Sequence, residues 1–139
     1  MIKQKTDSDC LRCCLSELLN IEYDLIPDFF KLYFNESCEG DSFNDNEFEI
    51  NYDKWLKSQN LTRIVFDADF EDETLKMPYI SDNYKCIGIL QESGKPYTHA
   101  IIIKPLPNGD YYYEDPSLND DADITTLIKI ELLVKGIIK

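Results

Sequence analysis

The hydrophobic pattern changes period once along this chain, after Asn60, and that change constrains the fold more than any other feature of the sequence. Before it, apolar residues recur at helical spacing. Leu11, Cys14, Leu15, Leu18 and Leu19 share one helical face behind Asp7, Ser8 and Asp9, residue types that cap helices, so a first helix is expected to begin near Cys10. A second helical stretch is expected from Asp24–Pro27 through Phe29, Phe30, Leu32 and Tyr33. A third runs from Asn46 or Glu47 to Gln59 and buries Phe48, Tyr52, Trp55 and Leu56. After Asn60 the segments are short, β-branched and separated by turn residues: Leu61–Phe66, Tyr84–Gln91, Tyr97–Lys104, Tyr111–Glu114 and Thr125–Val134. The last alternates Ile128, Ile130, Leu132 and Val134 against Lys129, Glu131 and Lys135, as a strand with two unlike faces does. Helices followed by an antiparallel sheet predict an α+β fold, with N-terminal helices packed on a C-terminal sheet.

No repeat, low-complexity tract or Pro/Gly-rich linker divides the 139 residues, so a single domain spanning 1–139 is expected, with 43% hydrophobic residues to build its core. The apolar runs are too short for a bilayer span, and the first nine residues lack the apolar segment of a signal peptide. Five cysteines, an odd number, fit reduced thiols and a cytoplasmic location. The net charge of −13, from 27 acidic and 14 basic residues, opposes nucleic acid and anionic membranes as partners and favours a neutral or basic substrate. Asp67, Asp69, Glu71 and Asp72 do not form a calcium loop, because the sixth and twelfth positions of that pattern hold Asp72 and Pro78.

Three residues bear on chemistry. Cys10 stands where a helix begins, and a helix N-terminus stabilises thiolate over thiol. His99 is the only histidine and therefore the only available imidazole base. The Asn108-Gly109 pair predicts a hairpin that makes strands 97–104 and 111–114 antiparallel neighbours. With Ile103 opposite Tyr111, that register puts His99 opposite Asp115 on one face; a shift of two makes them diagonal neighbours. Gln4, six residues before Cys10, is a candidate oxyanion donor together with the Cys10 backbone N–H.

The run from Gln4 to Asp9-Cys10-Leu11-Arg12, with His99-Ala100 and Asp115-Pro116 sixteen residues on, resembles the C39-type peptidases of bacteriocin transporters. It is also similar to small phage and bacterial papain-like proteins with an Asp-Cys-Leu-Arg start, here with Pro27, Phe29, Trp55-Leu56 and the His99-Ala100 strand in the remaining places. The resemblance implies a papain-like cysteine peptidase fold and a thiol hydrolase that cleaves an amide bond in a protein or peptide. Cys10 would be its nucleophile, His99 its base, Asp115 the orienting residue and Gln4 the oxyanion donor, with no cofactor or metal. Leu11 stands where the transporter peptidases usually carry Gly. Relatives on this fold also include deamidases, transglutaminase-like enzymes and non-catalytic binding proteins such as phage-encoded inhibitors, so those readings stay open.

Two other uses of the cysteines fit less well. Cys10-Leu-Arg-Cys13 has the form of a dithiol motif, but residues 1–9 are polar and too short for the βα unit that precedes such a motif. A zinc site would have to draw on Cys38, Cys86 or His99 from distant segments and lacks a second close cysteine pair. Cys13 and Cys14 read as helix-packing residues. A binding protein would use aromatics such as Phe29, Phe30, Tyr33 and Tyr111–Tyr113 as its contact surface.

Overall fold

The computed structural model describes residues 2–6, 8–35, 42–72, 74–76, 86–92, 98–108, 110–118 and 122–135. Asp7, Cys38, Tyr84 and Tyr97, which figure in the expectations above, lie outside them. Helices come first: α1 (Cys10–Leu19), a 3₁₀ turn at Tyr23–Leu25, α2 (Phe29–Tyr33) and α3 (Asp45–Ser58). Strands β1 (Phe34–Asn35) and β2 (Ser42–Phe43) form a small ribbon between α2 and α3. Seven strands follow: β3 (Leu61–Asp67), β4 (Asp69–Glu71), β5 (Thr74–Lys76), β6 (Cys86–Leu90), β7 (His99–Pro105), β8 (Tyr111–Glu114) and β9 (Leu127–Lys135). Five of them make one antiparallel sheet in the order β3-β9-β6-β7-β8, and β4 pairs with β5 in a separate ribbon. The architecture is α+β, with the N-terminal helices against a C-terminal antiparallel sheet.

Local chemistry accounts for the helix ends. Asp28 accepts from the Lys31 N–H and Asn44 from the Glu47 N–H, each satisfying a donor that the first turn leaves free. Asn20 closes α1 in the left-handed region at φ 54°, a conformation that asparagine tolerates better than most residues. Asp9 occupies the N-cap position of α1 but makes no cap bond. Its carboxylate turns back to the Lys5 and Thr6 N–H groups at 3.0 and 3.3 Å, so its side chain closes the preceding loop.

Both faces of the sheet are covered. On the helix face, Ile87, Ala100 and Ile102 pack with Leu15, Phe29, Tyr52 and Leu56. On the other face Ile101, Ile103, Leu90 and Ile130 pack with Leu75 of β5 and with Leu127. A strand buried on both sides needs apolar residues without alternation, which is why β7 contains the run Ala100-Ile-Ile-Ile103.

Of the two registers open for β7 and β8, the structure has the one shifted by two, with Ile103 opposite Tyr113 and Pro105 opposite Tyr111, so Asp115 reaches His99 diagonally. One expectation is corrected. β9 does not alternate as read from its sequence. Residues 124–126 form a 3₁₀ turn, and the pairing with β6 slips between Ile89↔Lys129 and Leu90↔Leu127, leaving Ile128 as an extra residue. Beyond this bulge Ile128 is 41% exposed, whereas Glu131, expected on the polar face, is 5% exposed beneath the helices.

Candidate active site

The site forms where the start of α1 meets the start of β7 and the end of β8. Cys10 opens α1 and is partly exposed. The Ala100 N–H, one residue into β7, donates to Cys10 Sγ at 3.3 Å, which ties the sulfur to the strand that carries His99. His99 Nε2 lies 2.7 Å from Asp115 Oδ1. A carboxylate only accepts, so Nε2 carries the proton, and the nearby Cys10 side chain adds to the rise of the His99 pKa. Two adjacent residues of β7 thus hold the two partners, Ala100 the Cys10 sulfur and His99 the Asp115 carboxylate.

Asp115 is itself held. Its Oδ1 accepts from the Ser117 N–H at 2.9 Å and its Oδ2 from the Ala122 N–H at 3.0 Å, and its side chain is 1% exposed. Burial works against the carboxylate, but these bonds and the imidazole outweigh it and hold Asp115 below its ordinary range. For His99, burial opposes the charged ring. The hydrogen bonds to Asp115 and Cys10 and the charges of both groups prevail, and its pKa rises to about 10.

The segment before Cys10 is fastened to the loop that carries Asp115. The Gln4 N–H donates to the Pro116 carbonyl at 2.8 Å, and Lys3 Nζ donates to the carbonyls of Asp115 and Ser117. The Gln4 amide donates to the Thr6 carbonyl at 3.0 Å and hydrogen-bonds the Asp9 carboxylate. Gln4 therefore sits beside the triad with its amide occupied inside the loop, and it is not among the residues lining the cleft in front of Cys10.

Sequence reading missed the anchor of this loop. Tyr23 donates its hydroxyl to Asp9 at 2.5 Å, while Lys5 and Arg12 lie over the Tyr23 ring at 4.4 and 4.0 Å. Asp9 was visible as a helix cap and as part of the Asp9-Cys10 run, and no signal singled out Tyr23, thirteen residues past the helix start.

A cleft of about 220 Å³ opens at Cys10. Leu11, next to Cys10, lines it, so its side chain faces whatever binds there. The other described cysteines are placed differently. Cys13 and Cys14 are fully buried; burial, with Asp9 and Cys10 adding, pushes the Cys13 thiol up to about 12, and burial, with Cys10 and Cys13 adding, raises Cys14 well above its ordinary range. Cys86, also buried, is pushed up to about 12. Among the described residues, no three His, Cys, Asp or Glu side chains are grouped to hold a metal ion, and no helix is long and apolar enough to cross a membrane. Of the aromatics considered as a contact surface, Phe29 is buried, while Tyr112 and Tyr113 are exposed.

A scan against protein-family models matched none, and a search of curated proteins found no significant match.

Proposed function

We propose that this protein is a cytoplasmic thiol hydrolase of papain-like fold, a cysteine peptidase in which Cys10 attacks an amide carbonyl of a peptide or protein. The observation that carries this reading is the start of β7, where His99 bonds Asp115 through Nε2 and the next residue's N–H, that of Ala100, holds the Cys10 sulfur. Such an arrangement supplies a nucleophile, a base and an orienting carboxylate.

In the acylation step the Cys10 sulfur bonds to the carbonyl carbon while its proton resides on His99. Asp115 fixes the ring and supports its positive charge. The tetrahedral oxyanion is met by the Cys10 backbone N–H and by Gln4, whose amide must leave Thr6 and Asp9 to reach it. His99 passes the proton to the leaving amine as the C–N bond breaks. In the second step water gives a proton to His99 and its oxygen to the acyl carbon, the C–S bond breaks, and Cys10 is restored. A side-chain amide of glutamine would follow the same steps with ammonia as the leaving group.

Iodoacetamide labelling tests this reading, with each cysteine followed by mass spectrometry from pH 5 to 9. Cys10 should be alkylated well ahead of Cys13, Cys14 and Cys86, and His99→Ala should slow it by about tenfold or more, as loss of a thiol's activating base does. Equal labelling of the four, unchanged by His99→Ala, would mean that Cys10 has no catalytic role.

A further inference from the structure

The cleft has a length, an apolar wall and a charged end, and together they specify an occupant. Its floor follows neighbouring strands of the sheet. Ala100 of β7 lies opposite Ile89 of β6, Ile89 lies opposite Lys129 of β9, and Lys129 lies opposite Asp67 of β3, with Arg63 four residues away along β3 at the far end. From β7 to β3 are three strand spacings, about 14 Å, and the offset of Arg63 along β3 lengthens the path, so the cleft takes at least about four residues of extended peptide. Phe30, Phe43 and Phe48 form one wall, with ring centroids 5.4 Å apart for Phe30 and Phe43 and 5.3 Å for Phe43 and Phe48. Across from them Ile128, pushed out by the bulge in β9, presents its exposed side chain to the same space.

At the far end Arg63 is claimed by three carboxylates. Its Nη1 donates to Glu131 at 3.0 Å, its Nε and Nη2 to Asp53, and its Nη2 also to Glu49. Four of the five guanidinium N–H groups are used this way. Arg63 therefore has little left to offer an anion, and the cluster keeps an excess of negative charge. Asp45 and Lys129 also line the cleft, one of each charge. Burial raises the Glu131 carboxyl despite the pull of Arg63.

Resting on the reading of Cys10 as nucleophile, we infer that the cleft binds an extended peptide segment that lays an apolar residue on the Phe30–Phe43–Phe48 wall and carries a lysine or arginine to the Glu49–Glu131 end. Methylene stems suit the apolar walls, and a cationic head suits the carboxylates. An acidic residue at that end meets Glu49 and Glu131 beside an Arg63 whose donors are nearly all taken.

The test incubates wild-type protein and Glu49→Lys with a pool of unstructured synthetic peptides that sample every residue around each amide bond. Mass spectrometry reads both backbone cleavage and glutamine deamidation. Lysine and arginine should be enriched by about fivefold over glutamate within four residues of the altered amide, beside an aromatic or branched aliphatic residue, as one partly exposed charge pair allows. Glu49→Lys should reverse that preference. Altered peptides without enrichment, or a preference that Glu49→Lys leaves in place, would overturn the inference. So would the absence of any altered peptide. Iodoacetamide labelling of Cys10 in the same samples separates the two readings: fast labelling with no sequence preference leaves the thiol chemistry standing and removes only the substrate class.

Discussion

Asp115 holds His99 through one oxygen and its own loop through both, so one residue couples the orientation of the imidazole to the stability of the chain around it. Asp115→Asn removes the charge that keeps the ring protonated and leaves the Ala122 N–H facing an amide that cannot accept as the carboxylate does. A lost charged hydrogen bond of this kind costs about 1.5–3 kcal/mol. The pH dependence follows from the direction of each shift. His99 is raised from 6.5 to about 10 on folding, so its contribution is fully present below pH 6.5 and is lost as pH rises through about 10. Asp115 is lowered from 3.8, so its contribution is present above that value and is lost on further acidification. The melting-temperature deficit of Asp115→Asn relative to wild type should therefore be largest between pH 4 and 6.5 and shrink toward pH 10. A deficit independent of pH over that range would mean that the His99–Asp115 pair adds nothing electrostatic to stability.

Strand β6 lies in the middle of the five-stranded sheet, between β9 and β7, and Gly88 at its centre is the place where side chains from both neighbours close in. A Cβ built there would stand 2.5 Å from Ile103 Cδ1 and 3.0 Å from Leu127 Cδ1, both on fully or nearly fully buried residues. Replacing glycine by alanine restricts the unfolded chain and stabilises by about 0.4–1 kcal/mol, but overpacking a buried site costs about 1–3 kcal/mol. The clash should win: Gly88→Ala should lower the urea midpoint without changing the slope, and an unchanged or higher midpoint would show that Ile103 moves aside freely. This crowding is a property of paired strands, and the sequence shows it only as a glycine in an apolar run. The same limit explains what could and could not be read in advance. Helices with a clear 3.6-residue stripe were legible to within about two residues, because periodicity and capping residues act locally. The β7–β8 register was not, since the Asn108-Gly109 signal marks a turn and leaves its exact pairing to the packing of the strands. In β9 the bulge at Ile128 undid the simple alternation. Of the site, Cys10, His99 and Asp115 stood out in the sequence as residue types, whereas the Tyr23 anchor and the Arg63 cluster depend on contacts between distant segments that no local pattern records.

Across the whole molecule, the helix layer meets the sheet through two unlike interfaces. Near Cys10 the contact between α1 and β7 is apolar, with Cys14 and Leu15 packed in the same cluster as Ala100 and Ile102. Under α3 it includes a charge knot in which Glu131 of β9 bonds Arg63 of β3 and Tyr52 of α3. The side chains of Arg63 and Glu131 are 6% and 7% exposed, and the Arg63 guanidinium also lies 4.9 Å from the Tyr52 ring, so the pair is desolvated on both sides. Removing one member of a buried pair leaves the other uncompensated, at a cost of about 3–5 kcal/mol, whereas replacing both by apolar residues is often neutral or better. Arg63→Leu should therefore be strongly destabilising, and Arg63→Leu with Glu131→Leu should recover most of the loss. Glu49 and Asp53 also lose a partner in these variants, but both are 55% exposed and water takes over. Acidity gives the argument its sign. Burial already raises the Glu131 carboxyl above its ordinary 4.5, and without Arg63 nothing opposes that rise. A carboxyl whose folded pKa lies above its unfolded value destabilises the fold only where the unfolded chain would ionise it, so the penalty is absent below pH 4.5 and grows as pH rises through the folded pKa. The single variant should accordingly approach wild-type stability in acid and fall away from it toward neutral pH, while the double variant should show no such divergence. If urea melts at pH 4 and pH 7 give the single variant the same deficit, the cost of losing Arg63 lies in packing against Tyr52 rather than in the charge of Glu131.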